Sequence, residues 1–265
     1  MTEPILRRVR PADTAELAAL WHRVFGDPEA LALAFLKDLP ALGGGVCAEE
    51  AGKLLGAAYA VTDFTLGRDR AAYIYAVAVL PEARGRGLGM ALTKAAAELG
   101  RALGAAIVCT LPANEGLYPW YERLIGVRCA LYRSEERCES APGAAVSSIG
   151  PGEYGLRREA LLAALPHVQP GQAALRYEKE NCRCFGGDLY ALGGGIAAAS
   201  VDGEEALIRE LLCPEGTDRR ALAAALGHSL GTERVLLLSS AREGTPYLAA
   251  DRPLPPGCVW NLTLD

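Results

Sequence analysis

Six consecutive residues, Arg84-Gly85-Arg86-Gly87-Leu88-Gly89, hold three glycines and two arginines. Glycine leaves backbone N–H groups uncovered and free to turn toward one point, and arginine adds positive charge. The chemistry that this pairing serves is the binding of a phosphate. The run before it, "AAYIYAVAVLP", is apolar without a break and reads as a central strand. The run after it, "LGMALTKAAAELGRALG", puts Leu88, Ala91, Leu92 and Ala95 on one face of a helix.

Three phosphate-loop patterns compete for this segment. A Walker loop requires Gly-Lys-Ser/Thr, and the chain has no such triplet. A dinucleotide fingerprint, G-x-G-x-x-G/A, fails in both registers, because its third position falls on Met90 or Leu92. The pattern Arg/Gln-x-x-Gly-x-Gly/Ala fits, with Arg84, Gly87 and Gly89.

With that loop between that strand and that helix, the next apolar strand "AAIVCTL", and Asn114 seven residues before Tyr121, residues 5–133 resemble the GNAT superfamily of acetyl-CoA-dependent N-acetyltransferases. The resemblance implies acetyl-CoA as cosubstrate. It implies a cofactor site made of Val77, Val79, Arg84, Gly85, Arg86, Gly87, Leu88, Gly89, Met90 and Asn114. It also implies that the strand ending at Val79 splays from the strand of residues 105–111. The Val77 N–H would then face the thioester oxygen, and Val79 would bond the pantetheine arm.

Tyr121 matches the tyrosine that this family often uses to reprotonate the leaving thiolate. Its surroundings depart from the family pattern, since the distance from Tyr121 to Gly126 is one residue longer than usual and Val127 replaces the customary Phe. Tyr118 is therefore a rival for the role. For the base that takes the amine proton, the strand positions used by some relatives hold Tyr73 and Tyr75. That leaves a water chain or a carboxylate such as Asp63 or Glu115.

The elements needed to position these groups can be read along the chain. "ILRRVR" reads as a strand, 15–26 and 28–39 as two amphipathic helices, and Gly43-Gly44-Gly45 as a break. A strand meander follows, then the loop, a helix, a strand, a short helix at "NEGLYPWYERL" and a strand at 127–133. Residues 134–152 are rich in Ser, Pro, Gly and Ala, as a linker is. Beyond them the order of elements repeats: a helix, a three-strand meander, the helix "DRRALAAALGHSLG", the strand "RVLLLSS" and a closing strand at 258–265.

The fold expected is α+β, with two GNAT-like domains, each a mixed, mostly antiparallel sheet flanked by helices. The boundaries are 1–135 for a catalytic domain, 136–152 for a linker and 153–265 for a degenerate second domain. At the place corresponding to the glycine loop, the second half reads "LCPEGTDRRAL", with one glycine and Asp218 where a phosphate would lie.

The 265 residues carry a net charge of −5, divided as +1 over 1–133 and −6 over 134–265. Neither half shows the basic face of a nucleic-acid binder. With no long apolar span and no signal-like leader, the chain is expected in the cytoplasm, away from membrane. Eight cysteines form no C-x-x-C pair and read as small core residues, so no metal is expected. The function expected is acetyl transfer to a primary amine, small-molecule or peptide, by direct attack. A catalytically silent acyl-CoA-binding sensor or scaffold is the alternative. Acceptor identity and oligomeric state, a homodimer included, stay open.

Overall fold

The computed structural model describes residues 3–264. The chain divides into two compact units, Met1–Ala130 with Tyr247–Leu254, and Leu131–Pro246 with Pro255–Asp265.

In the first unit, β1 (Ile5–Arg8) leads through a 3-10 turn to α1 (Thr14–Phe25) and α2 (Glu29–Leu42). The meander β2 (Gly43–Glu50), β3 (Lys53–Leu66) and β4 (Asp69–Val79) follows, then α3 (Leu88–Ala102), β5 (Ile107–Thr110) and α4 (Tyr118–Ile125). The glycine triplet does not interrupt the chain as its composition suggests; it opens β2. Gly45 is the register partner of Tyr59, and a Cβ on Gly45 would meet the Tyr59 ring at 2.7 Å, so glycine lets a buried aromatic lie across the neighbouring strand. Small side chains of the sheet, Ala58, Ala60 and Ala72 among them, pack with Leu92, Ala96 and Leu99 of α3 to form the core.

β6 (Arg128–Glu139) leaves the first unit, and its length from Tyr132 to Glu139 pairs in the second. There follow β7 (Val146–Ser148), α5 (Pro151–Leu162), the short β8 (Val168–Pro170) and α6 (Gln172–Cys184). Then come β9 (Asp188–Leu192), β10 (Gly195–Asp202), β11 (Glu205–Leu212), α7 (Arg219–Ser229), β12 (Arg234–Ala241) and β13 (Thr245–Ala250). The stretch 136–152, expected as a linker, carries the end of β6 and all of β7. Helix α6 is additional to the elements expected; its apolar positions are short and interrupted by charge.

Among the described residues each unit has a parallel strand pair in a mostly antiparallel sheet. The order is β1-β2-β3-β4-β5-β13 in the first, parallel at β4–β5, and β6-β12-β11-β10-β9-β7 in the second, parallel at β11–β12. The strand expected at 258–265 does not form. The described part of that segment makes only an isolated bridge, Val259 to His167, and Asp265 lies outside the described residues. The last strand is instead β13, and its residues from Tyr247 complete the first unit beside β5, with Ala249 opposite Thr110 and Ala250 opposite Cys109. Asp251 fastens this return. Its carboxylate accepts from the Val108 N–H at 3.1 Å and pairs with Arg101 of α3.

Candidate active site

The loop and helix start as their composition requires. Gly85 and Gly87 have φ of 77° and 78°, left-handed values that favour glycine, and Gly87 caps α3. The first bond of the helix runs from the Ala91 N–H to the Gly87 carbonyl, so the amides of Leu88, Gly89 and Met90 precede the intrahelical ladder and face outward at its positive end. A Cβ on Gly85 would meet nothing within 4 Å, and one on Gly89 only a Val79 methyl at 4.0 Å. The space beside Gly85 and Gly89 is open.

The two arginines differ. Arg84 is exposed, and its Nε–H donates to the Val79 carbonyl at 3.2 Å. Arg86 forms a bidentate pair with Glu50 of β2, at 2.7 and 3.1 Å, and holds that carboxyl below its ordinary range. Arg84 is thus the arginine whose charge stays with the loop, while that of Arg86 is matched by a carboxylate.

Parallel pairing of β4 with β5 ends at Ile74 and Thr110, whereas β4 runs on for five residues to Val79. Just past that last pair β4 takes an extra residue. Ala57 faces Ala78 and Tyr59 faces Tyr75, and Ala76 sits at φ 47°. Such a bulge bends a strand and re-aims the groups that follow it. Val77 and Val79, both half-buried, lie on the stretch of β4 beyond its last pair with β5. Tyr73 and Tyr75 face α1 and α2, where Tyr75 packs within 5.6 Å of Trp21 and 5.3 Å of Phe35. They serve as aromatic packing on that face. Asp63 lies in β3 and Glu115 is exposed ahead of α4.

The tyrosine alternatives separate. Tyr118 donates its hydroxyl proton to the Tyr247 carbonyl at 2.9 Å. Tyr121 is buried at 8% exposure, in the core cluster that also holds Ile74, Val108 and Ala249. Burial pushes the Tyr121 phenol above its ordinary range, and Thr110 pulls the other way. The lengthened distance to Gly126 is taken up by the helix, which runs to Ile125 and closes on Gly126 at φ 75°. Asn114 is exposed in the turn before α4, and its carbonyl accepts from Leu117. Thr110 and Tyr247 gave no sequence signal: a threonine in an apolar strand reads as core, and Tyr247 is 129 residues from Tyr118.

The second unit repeats the frame with different contents. β11 also bulges directly after its last parallel pair, Ile208 with Leu237, and the bulge there is Arg209. Around it lies a buried ionic core. Arg209 donates to Glu178 at 3.2 Å; Glu210 accepts from Arg158 at 3.0 Å and from the Tyr154 hydroxyl at 2.8 Å. At the start of α7 the Asp218 carboxylate accepts from the Ala221 N–H at 3.0 Å, so a negative side chain holds the helix end that a phosphate would need. Among the described residues no cluster of His, Cys, Asp or Glu could hold a metal ion, and no helix is long and apolar enough to cross a membrane.

The family model for the GNAT acetyltransferases matches residues 12–127. No curated protein matches the sequence. Similar solved structures include a conserved protein from Enterococcus faecalis V583 described as a probable N-acyltransferase, with 17% identity and TM-score 0.70 over 94% of this chain and 72% of that one. A GCN5-related N-acetyltransferase from Kribbella flavida gives 19% and 0.66 over 93% and 71%. A tandem GNAT protein from the clavulanic acid biosynthesis pathway gives 15% and 0.60 over 94% and 98%. At these identities the structures speak for the fold, and the family match speaks for the domain that holds the loop. Residues 12–127 form a GNAT acetyltransferase domain, and the chain as a whole shares the fold of GNAT N-acetyltransferases.

Proposed function

We propose that the first unit transfers an acetyl group from acetyl-CoA to a primary amine by direct attack. The observation that carries this reading is the parting of β4 from β5 at Ile74 and Thr110, with the uncovered amides of Leu88 to Met90 following on the same strand's exit. The loop amides and Arg84 would hold the diphosphate, while the divergent backbone from Val77 to Val79 would pair with the pantetheine arm. Asn114, on the turn after β5, would meet the cofactor from that side.

In the reaction the amine nitrogen bonds the thioester carbon, and its lost proton leaves through water. The Val77 N–H donates to the carbonyl oxygen as negative charge gathers there. When the C–S bond breaks, the thiolate takes the Tyr121 proton. Tyr118, whose proton is given to Tyr247, is structural. The second unit, with Asp218 capping α7 and ion pairs at its bulge, serves as a partner domain with no acetyl-CoA of its own.

Titration with coenzyme A by calorimetry, followed by thiol release from acetyl-CoA across a panel of amines, tests the reading. One binding event per chain and turnover on some member are expected. Binding with no turnover on any amine would instead support the acyl-CoA sensor.

A further inference from the structure

Three side chains at the glycine loop differ in whether their charge is cancelled. Glu82, two residues ahead of Arg84, pairs with Arg23 of α1 at 2.8 Å. Arg84 donates to the backbone carbonyl of Val79, which has no net charge to oppose it. Arg86 gives both of its terminal nitrogens to the two oxygens of Glu50, at 3.1 and 2.7 Å. Those bonds keep the Glu50 carboxyl below its ordinary range, so it is an anion at neutral pH. Glu50 ends β2, opposite Lys53 across the Ala51–Gly52 turn, and the strand after that turn is tied down twice. The Leu54 N–H donates to Glu16 of α1 at 2.8 Å. The Leu80 N–H, on the segment that enters the loop, donates to the Leu55 carbonyl at 2.9 Å. The hairpin end that carries Glu50 is thereby fixed beside the loop.

We infer that Glu50 is a positioning residue for Arg86 that lowers the loop's affinity for coenzyme A: it turns the guanidinium toward β2 and cancels its charge. This rests on the loop being the diphosphate site of the proposed reaction. A guanidinium bonded end-on to a carboxylate has its charge and its terminal donors committed. A diphosphate arriving at the amides of Leu88 to Met90 therefore meets a full positive charge at Arg84 and, at Arg86, an ion pair with no net charge. To take Arg86 as well, the phosphate must displace a carboxylate held by two hydrogen bonds. Glu50 is one arginine side chain away from the loop, a separation comparable to the Debye length of about 8 Å at physiological salt, so its own charge also repels the phosphates. The benefit lies in turnover. Spent coenzyme A leaves such a loop faster than it would leave one with two uncancelled arginines.

The test is calorimetric titration with coenzyme A on the full-length protein, on Glu50→Gln, on Arg86→Met and on the double variant, at low and at high salt. Glutamine keeps the shape of Glu50 and an acceptor for Arg86 while removing the charge. Glu50→Gln is expected to bind coenzyme A about fivefold more tightly at about 0.1 M salt, with the gain shrinking below about twofold at about 1 M. Arg86→Met should cost more affinity in the Glu50→Gln background than in the natural one, because only there is its charge uncancelled. The KM for acetyl-CoA should fall along with the dissociation constant in Glu50→Gln, a gain that a merely structural role would not produce. Equal or weaker binding by folded Glu50→Gln at low salt overturns the inference, as does a gain that persists undiminished at high salt. Should the glutamine variant not fold, Glu50→Ala is held to the same expectation. If the natural protein binds no coenzyme A, the acetyl-CoA reading fails and this inference fails with it; binding that Glu50 does not influence sinks this inference alone.

Discussion

The hydroxyl of Tyr118 and the carbonyl of Tyr247 meet at 2.9 Å, although 129 residues lie between them. The bond ties α4, which carries Tyr121, to the strand that returns from the C-terminal part of the chain. Tyr118→Phe removes that bond and should lower stability by about 1 kcal/mol. Since Tyr118 has no part in the proton transfer proposed for Tyr121, kcat should stay within about twofold. Urea unfolding and steady-state kinetics on one preparation check both halves; a loss of kcat as large as that of Tyr121→Phe would return the acid role to Tyr118.

The glycine loop separates binding from folding. Gly87 sits at φ 78°, where a β-branched residue is strained, so Gly87→Val should cost about 1–2 kcal/mol of stability as well as coenzyme A affinity. Gly89 has ordinary φ and open space, so Gly89→Val should keep its thermal midpoint and still bind coenzyme A at least tenfold more weakly. Calorimetry and thermal unfolding distinguish the two. Undiminished affinity in Gly89→Val would rule the cradle out.

A pH effect is expected at the base of the first unit. The Arg7 guanidinium bonds Asp13 at 2.7 and 2.9 Å and holds its carboxyl below the ordinary value of 3.8, helped by the Arg10 N–H. A depressed carboxyl contributes stability above its unfolded pKa and loses it as pH falls through the folded one. Asp13→Asn should therefore cost roughly 1–3 kcal/mol at pH 7, and the gap to the natural protein should close progressively below about pH 4. Urea melts at pH 7, 4 and 3 measure it.

In the second unit the ion pair between Arg158 and Glu210 is almost wholly buried, at 1% and 0% exposure. Arg158→Met strands the Glu210 carboxylate in the interior and should destabilise by about 3–5 kcal/mol. Exchanging both members for apolar residues of similar size should recover most of that loss. Neither change should create a second coenzyme A site, because Asp218 still caps α7. Chemical unfolding and a count of coenzyme A sites provide the readings.

The glycine loop, its strand and its helix were legible in residues 69–102 because that chemistry is local. Backbone φ, helix period and strand apolarity are properties of neighbours in the chain, and Gly85, Gly87 and the start at Leu88 lie where their types require. The repeat of element order was legible for the same reason. What the sequence hid was long-range. The triplet at Gly43 reads as a break until Tyr59 is seen to need the room. The Ser, Pro and Gly near residue 146 read as a linker, yet that short strand pairs with β9. Residues 245–250 carry Pro and Thr among small residues, too weak a pattern to announce the strand that completes the first sheet.

The chain's own order of residues determined a glycine loop between a strand and a helix in a GNAT domain, and a second frame without that loop. Tertiary structure decided the surroundings of the two tyrosines, by giving the Tyr118 hydroxyl the carbonyl of Tyr247 and burying Tyr121 in the core of the first unit. The reason is that a hydrogen bond and burial depend on distance in space, and the neighbours of both phenols are set by strand pairing between residues far apart in the chain.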